Sequence, residues 1–458
     1  MRILHAIHDF LPRHRAGSEI YACELCRSQH RRGHQVHVLC AEYDPSRPHG
    51  TLDWRWYGEL PVTEITNNWL FDSFAESYRS PRLGEQLEHV LRAVHPDVVH
   101  VHNLLNLSFE LPAIAAAQGI PSVATLHDYT LLCPSGGQRV HQAEKHVCRE
   151  IDTERCARCF PQSHFYSQMV FGRISRRTAG LPLAGRVAGA ARRLAPRLFG
   201  RLGRAAARHT ELPSGLTAAD VEERLAVARD EVFRSIDLFV APSPALAAEY
   251  RRFGLPEEKL RVSDYGFVPF EPRRVSRPRQ PLRIGFVGTL VWHKGAHVLL
   301  EAARRLPAGR FDILLFGSPD TFPDYVAELN AAASGLPVRF LGGFDRDRVA
   351  EVYGEIDVLV VASLWPENSP LVIHEAWMAG VPVVGARIGG IADLMADGVH
   401  GLLYDPFSAA DLAAALRSLL DQPEKLRRFA AALPAVKTID RDAEEWEGIY
   451  REVLGEEA

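Results

Sequence analysis

Two carboxylates eight positions apart, Glu367 and Glu375, bracket the stretch Glu-Asn-Ser-Pro-Leu-Val-Ile-His-Glu. Acids at that separation, with an anion-binding position between them, suit a sugar nucleotide. Glu375 would accept hydrogen bonds from a ribose diol, and Glu367 would reach a sugar on the far side of the diphosphate. The flanking residues say how the pair is positioned. The run Ile356 to Ala362 has the length and branching of a buried parallel strand. Ser369 followed by Pro370 reads as a helix start, with Ser as the cap and Pro at the first helical position. Gly380 reads as the C′ glycine that closes the helix. Glu367 then falls in the loop at a strand's carboxyl end, and Glu375 about one and a half turns into the helix. In an open α/β sheet that crevice is where ligands bind. A helix amino terminus there offers unpaired amides and a positive dipole end to a phosphate. The same spacing also fits a capped surface helix bearing two solvated acids.

The elements that would carry such a site recur along the chain. Ile3 to Ile7 reads as a strand, Ala16-Gly17-Ser18-Glu19 opens a helix running to about Arg32, and Val36 to Leu39 is the next strand. This is a βαβ beginning whose glycine loop allows close approach to a ligand. Cys23 and Cys26 form a C-x2-C inside that helix and read as buried small apolar residues. Val98 to Asn103 and Ile120 to Asp128 are strands with polar ends, carrying His102 and His127. Val232 to Ala241 and Leu260 to Gly266 complete the first half, and residues 267–281 form a proline-rich, stiff linker. The second half starts with the strand Leu282 to Gly288. The loop Thr289 to Gly295 then opens a helix, with Lys294 placed to reach a diphosphate as a mobile cation. Phe311 to Phe316, Val338 to Leu341 and Val381 to Val384 read as strands. Gly389-Gly390 reads as a loop, and helices are expected at about Ala409 to Leu420 and Asp442 to Leu454.

In this order the elements resemble the retaining GT-B glycosyltransferases of family 4. Glu367 to Glu375, preceded by Pro366, is similar to the family's E-x7-E element. Gly17 and Glu19 match its G-G-x-E loop, whose first glycine is Ala16 here. His127 in Leu126-His127-Asp128 matches the histidine placed close to the transferred sugar, with His102 as a competitor. Lys294-Gly295 match the end of the G-R-L-x3-K-G loop, in which Thr289 replaces the Arg and removes one cation from the phosphate clamp. Gly389-Gly390 match the glycine loop, with Asp393 where Glu is usual.

The resemblance covers most of the chain outside residues 133–230. It implies an α/β fold of two Rossmann-like, doubly wound domains facing a cleft. Residues 1–266 would be the acceptor-side domain and 282–430 the nucleotide-sugar domain, with 431–458 a helix crossing back to the first. It implies a hexosyltransferase-like enzyme moving a sugar from a nucleotide diphosphate donor to an acceptor hydroxyl with retention. Cell-surface polysaccharide, glycolipid or glycoconjugate synthesis is the expected setting. By this likeness His127 and Glu367 are the catalytic residues. Gly17, Lys294, Asn368, Ser369, Pro370, Leu371 and Glu375 bind the donor. No cofactor is required for catalysis, because Lys294 and the helix terminus meet the diphosphate charge. A nucleotide-sugar epimerase of the same fold and a non-catalytic binding protein are the alternatives.

The insertion beginning at residue 133 reads differently. Cys133, Cys148, Cys156 and Cys159, spaced C-x14-C-x7-C-x2-C, suit a structural tetrahedral zinc ion. An iron–sulfur cluster is the variant, and free thiols in a loop are the plain alternative, with His141 and His146 blurring the ligand count. Beyond them, Arg173, Arg176, Arg177, Arg186, Arg192, Arg193, Arg197, Arg201, Arg204 and Arg208 recur without an intervening acid. Leu194, Leu198, Phe199 and Leu202 fall near one helical face beside them. A basic amphipathic helix suits an anionic membrane surface or a lipid-linked acceptor; a saccharide acceptor and a helix packed on the catalytic domain are the alternatives.

Composition bounds these readings. A length of 458 residues predicts two or three domains, and 47% hydrophobic content is that of a globular protein. A net charge of −4 argues against a general nucleic-acid partner. Met1-Arg2-Ile3-Leu4 passes straight into a strand, without a signal peptide, and no apolar stretch reaches membrane-span length. A cytoplasmic protein, peripheral at the inner face of the membrane, is expected, with its seven cysteines reduced.

Overall fold

Short branched apolar runs, each ending in a glycine or polar loop, assemble here into two largely parallel sheets. The computed structural model describes residues 1–141, 143–163, 165–170, 172, 216–273 and 281–456. The basic stretch from Arg173 to Arg208, with Leu194, Leu198, Phe199 and Leu202, lies outside the described residues, as does 274–280 of the linker.

In the first half, β1 (Arg2–Ile7), β2 (Gln35–Glu42), β3 (Leu52–Tyr57), β4 (Leu60–Thr66), β5 (Val98–Val101) and β6 (Ser122–Thr125) come first. A short hairpin, β7 (Val140–His141) and β8 (His146–Val147), precedes β9 (Leu238–Ala241) and β10 (Leu260–Val262). The eight-stranded sheet has the order β10-β9-β6-β5-β1-β2-β4-β3, parallel except for β3 against β4. That edge hairpin was not anticipated from the sequence. The second sheet comprises β11 (Leu282–Val287), β12 (Phe311–Phe316), β13 (Val338–Gly342), β14 (Val358–Val361), β15 (Val383–Ala386) and β16 (Gly401–Tyr404). Its order is β13-β12-β11-β14-β15-β16, all parallel. Strand order reverses beside β1 in the first sheet and beside β11 in the second. The loops after β1, β11 and β14 therefore open at switch points, where a crevice forms outside the carboxyl ends.

The helix Ile439–Val453, last in the chain, packs on the first half. Thr438 caps it by accepting from the Arg441 amide. The Tyr21 hydroxyl donates to Asp442 Oδ2 at 2.8 Å, and Trp446 Nε1 donates to the Tyr21 oxygen at 3.0 Å. Ile439, Trp446 and Tyr450 are buried against Ile3, Val98 and Val123. A side chain such as Ile439, fully buried, contributes about 1.5–3 kcal/mol. Phe267 and Thr438 form a parallel bridge, with the Phe267 amide 2.9 Å from the Lys437 carbonyl oxygen, so the linker begins as paired backbone.

The organising helix starts one residue later than its sequence suggests. It runs Leu371–Met378, with Pro370 in extended geometry at the cap and no side-chain cap. Ser369 Oγ instead donates to the half-buried carboxylate of Asp264, at 2.7 Å from Oδ1, a charge-assisted bond. Gly380 closes the helix as expected, at φ 66°. Among the described residues no helix is long and apolar enough to cross a membrane.

Candidate functional site

The loops after β1, β6, β11 and β14 line one cleft of about 1030 Å³ between the two sheets. All nine residues expected at a donor site by sequence face it: Gly17 and His127 from the first half, and Lys294, Glu367, Asn368, Ser369, Pro370, Leu371 and Glu375 from the second.

Glycines make the second wall possible. Gly295 has φ 75°, and a Cβ there would stand 1.8 Å from the Ala362 carbonyl oxygen. Only glycine fits, and the close approach brings Lys294 to the end of β14. Lys294 Nζ lies 2.7 Å from Glu367 Oε1, which also accepts from Ser363 Oγ. Gly390 packs in the same way: its amide donates to the Glu367 carbonyl at 2.6 Å, and a Cβ would sit 1.6 Å from the Asn368 oxygen. Glu367 and Glu375 are 5% and 4% exposed, so neither is the solvated surface acid that its spacing also allowed. Glu375 accepts from Tyr353 OH at 3.0 Å and pairs with the Arg346 guanidinium.

The first wall is built on a row of histidines. The Gln29 amide donates to Tyr450 OH at 3.0 Å, so its Oε1 accepts from His5 Nε2 at 2.8 Å. The remaining directions follow from that anchor for neutral rings. His102 Nε2 donates to His5 Nδ1, His127 Nε2 donates to His102 Nδ1, and Tyr265 OH donates to His127 Nδ1, each at 2.9 Å. Burial keeps these rings neutral. It pulls His5 down to about 4 and His127 to about 3, the latter helped by His8, and holds His102 well below the ordinary range. His102 thus lies behind His127 rather than competing with it for the cleft. Both ring nitrogens of His127 are hydrogen-bonded inside the protein, so what it offers the cleft is its ring rather than a nitrogen.

Several partners of these residues gave no local sequence signal. Asn368 Nδ2 donates to the His127 carbonyl oxygen, and Tyr129 OH donates to the Pro366 carbonyl at 3.0 Å. Asp264 bridges Ser369 and His374 Nε2, the latter at 2.8 Å. Burial pushes the Asp264 carboxyl up, but its bonds to His374 and Ser369 and the backbone hold it below its usual range. Arg15 reaches Asp345 at 2.8 Å across the opening. These contacts join residues 105 to 330 positions apart, beyond the range of any local pattern.

Among the described residues, two groups of ligating side chains have their ligand atoms all within 4.8 Å of one another, His5-His100-His102 and His8-Asp9-Glu19. The first is occupied by hydrogen bonds to Gln29, Tyr450, Thr125 and His127. The four cysteines of the insertion belong to neither group and do not line the cleft.

Comparison with known proteins follows the same division. Residues 15–174 match the family model described as Glycosyltransferase Family 4, and residues 268–434 match that of Glycosyl transferases group 1. A D-inositol 3-phosphate glycosyltransferase of Rhodococcus opacus is 36% identical over 167 residues, covering 34% of this chain and 37% of that protein. The sulfoquinovosyl transferase SQD2 of Arabidopsis thaliana is 31% identical over 207 residues, covering 42% and 39%. The chain spans 36% to 52% of the length of the curated relatives it matches. Among solved structures, Anabaena HepE in complex with UDP and glucose superposes with a TM-score of 0.63 at 18% identity, covering 99% of this chain and 100% of that one. The sucrose-phosphate synthase of Thermosynechococcus elongatus gives 0.65 at 17% identity, covering 99% of each.

Proposed function

Since the chain belongs to the family 4 glycosyltransferases of the GT-B fold, we propose that it moves a sugar from a nucleotide diphosphate sugar to an acceptor hydroxyl with retention of anomeric configuration. The observation that carries this reading is the meeting of two buried, cation-paired acids and a helix amino terminus in one cleft opposite His127. The barrier is glycosidic cleavage, with charge growing on the leaving diphosphate. Lys294 and the amides that open the Leu371–Met378 helix are preorganised donors for that charge. Glu375 takes the ribose diol, exchanging its Arg346 contact for it. Glu367, fixed by Lys294 and Ser363, orients the hydroxyls of the transferred sugar, and the His127 ring closes the pocket from the other side. Thr289 leaves the diphosphate one cation fewer than the family pattern, and Arg15, Arg27 and Arg346 are the guanidinium groups that line the cleft.

The acceptor belongs on the side of the first sheet. A lipid-linked or saccharide acceptor in polysaccharide, glycolipid or glycoconjugate synthesis suits the basic run of residues 173–208, which would hold the enzyme at the inner face of an anionic membrane. Relatives named for inositol phosphate make a phosphorylated polyol an acceptor to include in the same panel.

The test begins with thermal shift across UDP-, GDP-, ADP- and dTDP-sugars, since a ligand stabilises according to its affinity. Turnover of the best donor with an acceptor panel follows, with the anomeric configuration read by NMR. One nucleotide class raising Tm, and an α-linked product from an α-donor, is the expected result. Interconversion of the donor sugar without acceptor would replace the transferase reading with an epimerase, and no stabilisation by any donor would defeat both.

A further inference from the structure

Three consecutive residues, Asp264, Tyr265 and Gly266, follow β10 where the first half gives way to the linker, and each is tied to a different part of the molecule. Asp264 bonds Ser369 and His374 of the second half. The Gly266 amide donates to Asp442 Oδ2 of the last helix at 3.1 Å. A Cβ on Gly266 would stand 2.5 Å from Asp442 Cβ and 2.7 Å from the Thr438 carbonyl oxygen, so the backbone lies against that helix as closely as only glycine allows. Tyr265 is therefore anchored through both neighbours before its own side chain makes any contact.

That side chain is 5% exposed and lines the cleft. Its ring lies against Tyr21, centroids 4.6 Å apart, and Tyr21 is itself held by Asp442 and Trp446. The hydroxyl has one proton and two lone pairs. The proton goes to His127 Nδ1 at 2.9 Å, the end of the histidine row, and a lone pair accepts from Asn368 Nδ2 at 3.4 Å. The same Asn368 amide gives its other N–H to the His127 carbonyl oxygen. His127 stands on the wall of the first half and Asn368 on that of the second, so the two walls are joined twice, once through backbone and once through the tyrosine. Burial pushes the Tyr265 hydroxyl well up, against the bond from Asn368, so it keeps its proton and stays a donor.

We propose that Tyr265 is a positioning residue for sugar transfer: its hydroxyl, shared between His127 and Asn368, holds the ring on one wall of the cleft in register with the donor loop on the other. On the transferase reading, which this assignment requires, the transferred sugar lies between His127 and the Glu367–Asn368 loop. The nucleotide is held further along, by Glu375 and the amides that open the Leu371–Met378 helix. Tyr265 thus governs the spacing across the sugar rather than the hold on the nucleotide. Without its hydroxyl the His127 ring keeps only the bond to His102 and is free to turn, and Asn368 loses one of its two acceptors. A misplacement of about 1 Å at a reacting centre costs about 10²-fold in rate.

Tyr265→Phe removes the hydroxyl and keeps the ring. Steady-state kinetics should show kcat lowered about ten- to hundredfold, while calorimetry gives a donor Kd close to that of the wild type. Tyr21→Phe is the control. It deletes a neighbouring buried hydroxyl bonded to Asp442 and Trp446 instead, and should keep the wild-type kcat. Nitrogen NMR of the histidine-labelled wild type should show the His127 proton on Nε2, with Nδ1 unprotonated and hydrogen-bonded. In Tyr265→Phe the Nδ1 signal should move toward that of a free nitrogen, while His5 stays in place. Wild-type kcat in Tyr265→Phe overturns the proposal, as does an equal loss in Tyr21→Phe. So does a loss of donor affinity as large as the loss of kcat, or a wild-type proton on His127 Nδ1, which needs no variant. A wild-type protein that turns over no donor defeats the transferase reading and this assignment together, whereas turnover untouched by Tyr265→Phe defeats the assignment alone.

Discussion

Glu367 and Glu375 are each held by a cation, and the two pairs differ in what their loss should do. Lys294 is bonded to Glu367 at 2.7 Å and is proposed to stabilise charge that appears only as the diphosphate leaves. Lys294→Ala should therefore lower kcat by about 10²–10³-fold, with a smaller change in the donor KM. Steady-state kinetics at saturating donor checks this, and an unchanged kcat would remove Lys294 from the chemistry. Glu375 is proposed to hold the ribose, a contact made equally in ground and transition states. Loss of charged hydrogen bonds costs about 1.5–3 kcal/mol, so Glu375→Ala should weaken donor binding roughly ten- to hundredfold and leave kcat nearly unchanged. Calorimetry with the donor decides it; wild-type affinity would take Glu375 out of the site.

At the scale of elements, the geometry depends on glycines that let one loop lie on another. Gly390→Ala would drive a methyl group into the Asn368 carbonyl and push the Glu367–Asn368 loop out of place. Donor affinity should fall by at least about tenfold, or 1.4 kcal/mol, with a lowered Tm. A variant that binds donor like the wild type would show that the loop's position is not needed. Much of this level could be read in the chain. Val358–Val361 announces itself as a buried strand by branching, and the Leu371–Met378 helix by its closing Gly380. What could not be read is competition between distant partners. Ser369 is a good cap by type, but Asp264, 105 positions away, takes its hydroxyl. His102 and His127 look alike at two strand ends, and only the side-by-side pairing of β5 and β6 sets one behind the other. The β3–β4 hairpin was missed because its edge strand leaves Trp54 and Trp56 exposed, which breaks the inward apolar pattern.

For the whole molecule, the histidine row ties stability to pH. His5, His100, His102 and His127 are neutral when folded because burial depresses them, His5 to about 4 and His127 to about 3. Unfolded histidines protonate near pH 6.5, so below that value the unfolded chain binds more protons and gains on the folded one. Each such ring costs up to about 1.4 kcal/mol of stability per pH unit between about 6.5 and its folded value. Tm should be flat from pH 8 to 7 and fall steeply from 6.5 to 5; a flat Tm through that window would contradict the neutral row. A second expectation at this scale concerns the basic stretch of the insertion. Each Arg near an anionic leaflet contributes roughly 1 kcal/mol, though only some can face it at once. Sedimentation with anionic liposomes at low salt should recover the wild type and lose Arg197→Glu/Arg201→Glu/Arg204→Glu. Equal recovery would make the stretch a packing element instead.

The helix Ile439–Val453 also sets an order in time. During synthesis the first sheet emerges early, yet Trp446 and Tyr450, which cover His100 and pack with Tyr21 and Leu25, are made only after the second sheet. Until then the first half carries an uncovered apolar face and a histidine, His100, without its tyrosine partner. The second sheet, whose fully buried core residues all come from the second half, can close on its own as it leaves the ribosome. The half that begins the chain is therefore the half that is finished last.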